Sequence, residues 1–243
     1  MRRIHRQALT EDTLAGLAAL TAEVISDADP KGRASKKWDS KPDNVFGEIR
    51  TVLVQMASGR ARCMYCEDSA GTDIEHFRPK ATYPEVAFVW DNYLLACSHC
   101  NSNRKRNLFP LDEGGSPLLI DPSAEDPTEH LEFSPSTGHF VAVTSKGEKS
   151  VEVFALNDDT RSGGLPTGRL DALVTLVALL KQYDEHVTLG TSHEGNARRA
   201  IQNQAFSAVL YWMVRVAATG AGKTVLGSDV VDLIQKYHVH TWL

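Results

Sequence analysis

The 243-residue chain contains few cysteines and has none outside two short motifs. All four lie in Cys-x-x-Cys pairs, one at Cys63 and Cys66 and the other at Cys97 and Cys100. A small secreted protein held together by disulfides would use its cysteines at wider and more varied spacings. The pattern therefore argues against a disulfide framework and indicates metal ligation in a reducing compartment.

Long hydrophobic runs are also lacking. The basic start of the chain, Met1 to Arg6, is not followed by the apolar segment of a signal peptide. An apolar stretch from Leu170 to Leu180 is interrupted by Asp171 and is too short for a bilayer core of about 30 Å. We expect a cytoplasmic protein of one or two domains, with no membrane-spanning segment and no internal repeat.

The charge balance, a formal net charge of -5, excludes a polycation that coats nucleic acid along its whole length. Basic residues nevertheless flank the cysteine pairs; they are Arg60, Arg62, Arg78, Lys80, Arg104, Lys105 and Arg106. Any one of these groups is compatible with an ordinary solvated surface. Together around one site, they predict a basic rim that contacts phosphates.

Hydrophobic periodicity predicts the secondary structure of the first half of the chain. An apolar stripe after Thr10 predicts a helix over Leu9–Ile25, and another predicts a helix from Asn44 to Met56. The polar segment Asp29–Trp38, which contains Pro and Gly, predicts a loop that can touch a polyanion. Strands are predicted at Thr72–Phe77 and around Trp90–Leu95, with a short helix over Asn101–Asn107.

The second half of the chain is predicted to be mainly helical after a small sheet. Runs rich in Val and Phe, punctuated by Gly138 and Gly147, predict a β-meander over Leu131–Leu156. The helices are predicted at 170–186, 197–218 and 230–237, followed by a strand-like tail containing His238 and His240. We divide the chain into 1–59 (N-terminal helical segment), 60–112 (core of the site), 113–160 (loop and β-meander) and 161–243 (C-terminal helical region).

The two Cys-x-x-Cys pairs predict one structural zinc site. Each pair can place two thiolates on a tetrahedral Zn²⁺ ion, with Zn–S bonds of about 2.3 Å. With four thiolates the coordination shell is complete, and His99, between two of the cysteines, is left facing solvent or a phosphate. The zinc would hold together the segments that carry Glu75-His76 and Asn101.

Those segments carry the residue types that phosphodiester hydrolysis needs. His76 is the candidate general base, because imidazole titrates near neutral pH. Glu75 and Asn101 are candidate oxygen ligands for a catalytic Mg²⁺ or Mn²⁺ ion, which needs open coordination positions. Asn92 is expected to orient His76 through a hydrogen bond. Asp73 lies on the same strand face as Glu75 and is an alternative ligand, and Asn103 is a lesser alternative to Asn101.

At these positions the sequence resembles the HNH endonucleases of the His-Me finger (ββα-metal) family. The matching pattern is Cys63-x-x-Cys66, Glu75-His76 with Pro79, Asn92, and Cys97-x-x-Cys100-Asn101. Glu75 stands where the family often has Asp, and Asn101 stands where its last His is found. Over Arg50 to Asn157 the chain is similar to the PtuB-type HNH proteins of Septu antiphage and retron-associated systems, through strings such as Ile74-Glu75-His76-Phe77-Arg78-Pro79-Lys80.

The resemblance implies an α+β fold in which a zinc-stapled ββα finger is embedded in a mainly α-helical protein with a small β-meander. It implies a metal-dependent endonuclease, with DNA as the expected substrate, that acts in antiphage defence beside a PtuA-type ATPase. Two alternatives stay open: an RNA-cleaving HNH effector, and a non-catalytic zinc-knuckle adaptor that binds nucleic acid. A lone histidine is often a satisfied core residue, and His76 is interpreted as catalytic because of the residues around it.

Overall fold

The computed structural model describes residues 1–243, apart from the side chain of Ser162. The protein is mostly helical and has two small antiparallel sheets. The helices are α1 (Glu11–Ile25), α2 (Pro30–Asp39), α3 (Asp43–Met56), α4 (Ser145–Phe154), α5 (Leu165–Leu189), α6 (Glu194–Gln202), α7 (Ser207–Ala217), α8 (Gly222–Leu226) and α9 (Ser228–Lys236). The strands are β1 (Asp73–His76), β2 (Tyr93–Ala96), β3 (Leu131–Phe133) and β4 (Phe140–Ala142).

The two helices predicted in the first 60 residues are present as α1 and α3. Thr10 caps α1, and its side chain accepts a hydrogen bond from the backbone N–H of Thr13. The predicted apolar stripes are buried, with Leu17 and Val24 on α1 and Ile49 and Leu53 on α3. Both helices therefore form because their apolar faces pack into the core.

The segment Asp29–Trp38 was expected to be a loop, and this prediction is wrong because it forms α2. Asp29 caps the helix by accepting a hydrogen bond from Gly32 N (3.0 Å), and Pro30 occupies the first turn. Ion pairs from Arg33 and Lys37 to Glu23 tie α2 to α1. Only Ala34 of α2 is buried, so hydrophobic periodicity could not reveal this helix, whereas its cap and proline could.

The first sheet consists of β1 and β2, antiparallel, with Asp73 opposite Ala96 and His76 opposite Tyr93. β2 is buried along its whole length, because α3 and the segment around the first cysteine pair pack on it. A π-helical turn, His99–Lys105, follows β2 directly and overlaps the predicted short helix. β1 carries Asp73, Glu75 and His76, the turn carries Cys100 and Asn101, and Asn92 and Cys97 lie directly before and after β2.

The predicted β-meander at 131–156 is wrong in its second half. β3 and β4 form a single hairpin, and the remainder is α4, capped by the Thr144 side chain. Gly147 lies inside α4 and not in a turn. A Cβ atom added there would lie 2.1 Å from the carbonyl oxygen of His130, so glycine is needed for close approach of the helix to the hairpin.

The predicted helix over 197–218 is two helices, α6 and α7. The chain breaks before α7 because Phe206 adopts a left-handed conformation (φ 57°) and its N–H donates to the carbonyl of Glu67 (3.1 Å). The C-terminal tail is also not a strand. It forms a 3-10 turn, Val239–Trp242, whose Trp242 ring packs 5.0 Å from that of Tyr183.

A continuous apolar core holds these elements together. It includes Ile49 and Leu53 of α3, Leu95 of β2, Phe154 of α4 and Leu176 of α5, so each of the four segments defined from the sequence contributes to it. Among the described residues, no helix combines the length and the hydropathy that crossing a membrane requires.

Candidate functional site

The four cysteines converge on one point at the end of the first sheet. All four sulfur atoms lie within 4.8 Å of one another, and Cys66 Sγ is 3.9 Å from Cys97 Sγ. Tetrahedral Zn²⁺ with bonds of about 2.3 Å requires sulfurs about 3.8 Å apart. The four thiols are buried and their spacing therefore fits a structural zinc ion.

The backbone brings the two pairs together through the sheet. Cys63 N donates to Ser69 O (2.9 Å) and Met64 N donates to Leu95 O (2.8 Å), so the first pair is docked against β2. Hydrogen bonds from Cys100 and Cys63 lower the pKa of the Cys66 thiol to about 6. Burial raises the pKa of the Cys63 thiol, so the four thiols differ in acidity, and a bound metal ion would hold all of them as thiolates, the form that binds metal.

Arg161 covers this cysteine cluster, and sequence analysis missed it. Its Nη2 donates to Cys97 Sγ (3.3 Å), Cys66 Sγ (3.4 Å) and Ser69 Oγ (3.1 Å), and its Nη1 donates to Cys100 Sγ (3.6 Å). Four thiolates around one divalent ion leave two negative charges, which a guanidinium partly offsets. Arg161 follows Cys100 by 61 residues, and no local motif connects them.

Three of the four candidate catalytic residues line one cavity of about 260 Å³ beside the first sheet, and Asn92 does not. Glu75 and His76 reach it from β1, and Asn101 reaches it from the π-helical turn. Lys80 and Arg106 also line the cavity. The structure thus brings together three residues that the sequence had grouped: a carboxylate, an imidazole and an amide.

His76 is held from two sides and is only 8% exposed. Its Nε2 lies 3.0 Å from the carbonyl oxygen of Ala87, and the Trp38 ring lies 4.2 Å from the imidazole. A carbonyl oxygen only accepts hydrogen bonds, so Nε2 carries the proton and Nδ1 is the nitrogen with a free lone pair. Burial lowers the pKa of His76 to about 3, which makes the ring neutral at pH 7.

Trp38 is a second residue of this site that sequence analysis missed. It was assigned to the incorrectly predicted loop and instead lies at the end of α2, where it lines the cavity. The Lys41 ammonium is 4.9 Å from its ring centroid and that of Lys80 is 5.8 Å away. The available signal was an aromatic residue with lysines on both sides, nine residues after the helix cap Asp29.

Asn92 does not contact His76 in the way we predicted. Its side chain accepts from Arg78 N (2.7 Å) and donates to Arg78 O and Val86 O (3.0 Å each). These bonds join the segment after β1 to the turn that ends at Ala87. Asn92 therefore affects His76 only indirectly. It holds in place the turn that ends at Ala87, and the Ala87 carbonyl orients the imidazole.

The two carboxylates of β1 have different partners. Asp73 Oδ2 accepts a hydrogen bond from Asn101 Nδ2 (3.0 Å), which leaves the Asn101 carbonyl oxygen as the group available to an ion. Glu75 lines the cavity and is 3% exposed, with Lys105 Nζ 2.6 Å from its Oε1. Burial raises the pKa of Glu75, while Lys105 opposes that shift. Glu75 and the Asn101 carbonyl form a donor set that suits a hard cation.

The predicted basic rim is only partly on the surface. Arg78 is exposed, with its guanidinium 5.6 Å from the rings of both Tyr83 and Phe109, and Arg106 is exposed at the cavity. Arg104 is engaged with Asp158 Oδ2 (3.1 Å) and with His99. Lys105, expected to contact phosphate, is instead completely buried, because its ammonium pairs with Glu75 and the His76 carbonyl.

The chain is similar to curated proteins over about half of its length. The sequence is 33% identical over 175 residues to the Septu protein PtuB of Bacillus mycoides (strain KBAB4), covering 55% of this chain and 58% of that protein. It is 30% identical over 134 residues to the Septu protein PtuB of Bacillus thuringiensis, covering 52% and 49%. Over about half of its length, the chain is similar to proteins named Septu PtuB.

A shorter similarity exists to protein ea31 of Escherichia phage lambda, with 36% identity over 59 residues, 24% of this chain and 20% of that protein. The chain spans about half the length of the PtuB relatives it matches. The sequence matches no protein-family model.

Proposed function

We propose that this protein is a metal-dependent endonuclease of the HNH type, with residues 60–112 as its nuclease core. The observation that supports this most directly is that Glu75, His76 and Asn101 line a single cavity beside a cysteine cluster whose spacing fits zinc. Similarity to proteins named Septu PtuB supports a role in antiphage defence.

His76 would act as the general base through Nδ1. Its tautomer is suited to this role, since the Ala87 carbonyl retains the proton on Nε2. A base with a pKa of about 3 is neutral but weak. A phosphate entering the cavity brings negative charge next to the imidazole and raises its pKa towards the range in which a histidine is an effective base at neutral pH.

Glu75 and the Asn101 carbonyl would hold one Mg²⁺ or Mn²⁺ ion. Such an ion polarises the phosphate and stabilises the departing oxyanion. Asp73 supports this arrangement by accepting from the Asn101 amide, so that the carbonyl is directed away from it. We therefore propose Glu75 as the carboxylate ligand and Asp73 as the residue that positions Asn101.

Nucleic acid would be held by the exposed part of the basic rim. Lys80 and Arg106 line the cavity beside the catalytic residues, and Arg78 is exposed two residues after His76. Since His76 and a divalent ion act on phosphate, the same chemistry applies to DNA and RNA, and DNA is the substrate that the resemblance favours. The resemblance also supports a PtuA-type ATPase as partner.

Cleavage assays with purified protein test this function. Plasmid DNA and a defined RNA are incubated with Mg²⁺ or Mn²⁺, with and without a PtuA-type ATPase, using the wild type, His76→Ala and His99→Ala. We expect the wild type and His99→Ala to cut and His76→Ala to lose activity by about 10²–10⁴-fold. His99 is a suitable control because it lies in the same cysteine motif but pairs with Arg104.

Two other outcomes of the cleavage assays would change the proposed function. Cleavage of RNA alone would replace the DNA substrate with RNA. Nucleic-acid binding without cleavage by any of the three proteins, with the ATPase present, would overturn the enzyme and favour a non-catalytic zinc adaptor.

A further inference from the structure

Lys105 is the most completely buried charged group near the candidate active site. It belongs to the last turn of the π-helical segment, and its side chain is 0% exposed. Its ammonium lies 2.6 Å from Glu75 Oε1 and donates to the His76 carbonyl oxygen at 2.8 Å. A cation that belongs to the protein therefore sits directly beside the carboxylate proposed to bind the catalytic ion.

The surroundings show that this placement is specific to Lys105. Its neighbours in the sequence point elsewhere, Arg104 to Asp158 and Arg106 to the cavity. Asn101, four residues earlier on the same turn, reaches Asp73. The π-helical turn thus makes two side-chain contacts with β1. Neutral Asn101 contacts Asp73, and charged Lys105 contacts Glu75.

The Lys105–Glu75 contact is mainly an attraction between opposite charges and not a well-directed hydrogen bond. Among the described residues, Glu75 Oε1 has no partner in hydrogen-bond geometry, although the Lys105 nitrogen is near. An ammonium and a carboxylate removed from water need each other, because an isolated buried charge is very costly. A divalent ion offers the same carboxylate a stronger charge and the directional oxygen ligation that Lys105 does not provide.

We propose that Lys105 is a positioning residue that holds Glu75 in place as an internal counter-cation, and that the catalytic ion must share Glu75 with it. This inference rests on the proposed function, in which Glu75 is a metal ligand. Lys105 holds the Glu75 carboxylate in place before the ion binds, and repulsion between the ammonium and the ion weakens metal affinity. The protein consequently binds its catalytic ion weakly and exchanges it readily.

The test measures Mn²⁺ affinity directly, by isothermal titration and by the electron paramagnetic resonance signal of free Mn²⁺, on zinc-loaded protein in metal-depleted buffer. Wild type is compared with Lys105→Met, which keeps the length of the side chain and removes its charge. We expect Lys105→Met to bind Mn²⁺ about tenfold more tightly, which corresponds to about 1.4 kcal/mol. Arg104→Met is the matched control, since it removes a neighbouring cation that pairs with Asp158 and does not line the cavity, and its effect should be small.

Stability gives a second readout. Without Mn²⁺, Lys105→Met should melt at a lower temperature than wild type because Glu75 is left buried without its partner. Adding Mn²⁺ should raise its melting temperature more than that of wild type. If Lys105→Met does not fold, Lys105→Gln retains a donor for the His76 carbonyl without charge and should show the same tightening, whereas Lys105→Arg should bind Mn²⁺ like the wild type.

Several results would overturn the inference. Equal or weaker Mn²⁺ binding by a folded Lys105→Met or Lys105→Gln protein, in a preparation whose wild type cleaves nucleic acid, would reject the role of Lys105 and leave the proposed function intact. No Mn²⁺ binding by any variant, together with no cleavage, would reject both.

Discussion

The cysteine cluster and the cavity at Glu75, His76 and Asn101 both lie beside the first sheet but are built in opposite ways. The cluster has four identical soft ligands, all buried, with Arg161 covering it. The cavity has a carboxylate, an imidazole and an amide, and its rim includes the exposed Arg106. A metal site that is filled by protein ligands is structural, whereas chemistry needs a site with positions left open.

The two sites also obtain their compensating charge differently. The cluster receives a guanidinium from Arg161, far away in the sequence, which approaches the sulfurs through several hydrogen bonds. The cavity receives an ammonium from Lys105, on the same helical turn as Asn101. The first cation stabilises an arrangement that stays fixed, and the second stands where another cation is expected to bind.

The largest expected effect comes from breaking the cluster. Cys63→Ser removes one of four thiolate ligands, and because structural zinc provides about 10–16 kcal/mol of folding free energy in small zinc domains, residues 60–112 should lose their fold. Elemental analysis should show about one zinc per wild-type chain and much less in the variant. Ser98→Ala, an exposed position inside the second motif, is the control. A zinc-free, fully folded Cys63→Ser protein would contradict a structural role for the cluster.

The next largest effect is a pH dependence that arises in the cavity. The pKa of His76 is about 3 in the folded protein and near 6.5 in the unfolded chain, so the unfolded state binds more protons between these values. Stability should therefore fall as pH decreases from about 6.5 to 3, by at most about 4–5 kcal/mol from this residue.

Chemical denaturation between pH 7 and 4 measures this slope. His76→Gln has no titrating ring and should show a shallower decrease than the wild type. His99→Gln should change the slope less, because partial burial also lowers the pKa of His99 but that side chain is less buried than His76. Parallel slopes for the wild type and His76→Gln would mean that His76 is not held neutral by burial.

Asn92→Ala should destabilise the segments around the cavity and leave the cysteine cluster intact. The buried Asn92 side chain makes three hydrogen bonds to Arg78 and Val86, and their loss should cost about 2–3 kcal/mol. Cleavage should fall as well, because the Ala87 carbonyl would no longer be fixed beside His76. Thermal melting, zinc content and cleavage are compared with Asn103→Ala, an exposed asparagine. Loss of zinc from Asn92→Ala would show that the two sites are not separable.

Arg161→Met should weaken zinc binding by the cysteine cluster and leave the cavity unaffected. It removes the cation over the thiolates, and we expect zinc transfer to a chromogenic chelator to be about tenfold faster, in line with the 10–100-fold changes seen when residues that support metal ligands are altered. Arg104→Met, which removes a cation paired with Asp158, should release zinc at the wild-type rate. Unchanged release from Arg161→Met would show that the guanidinium does not stabilise the site.

The smallest expected effect concerns the rim of the cavity. Arg106→Ala removes one exposed cation, and the slope of log affinity for nucleic acid against log salt concentration should decrease by about 1. Binding should weaken similarly for all sequences, since a phosphate contact does not identify bases. An unchanged salt slope would place the nucleic acid on another surface.

The candidate zinc ligands and several helices could be predicted from the sequence because neighbouring residues alone specify them. A Cys-x-x-Cys turn places two sulfurs together by itself, and the capped apolar stripes of α1 and α3 define their helices. Where the local signal was weak, prediction failed. α2 has almost no buried face, and the break between α6 and α7 depends on a hydrogen bond between Phe206 and Glu67.

The sequence by itself determined the four candidate zinc ligands and the grouping of Glu75, His76, Asn92 and Asn101, since residue type and spacing specify which groups can ligate a metal or transfer a proton. Tertiary structure alone decided that Trp38 and the Ala87 carbonyl hold His76, that Arg161 covers the thiols, and that Lys105 is buried against Glu75. The physical reason is that burial and charge pairing depend on distance in space, and these partners come from separate segments that only the packed core brings together.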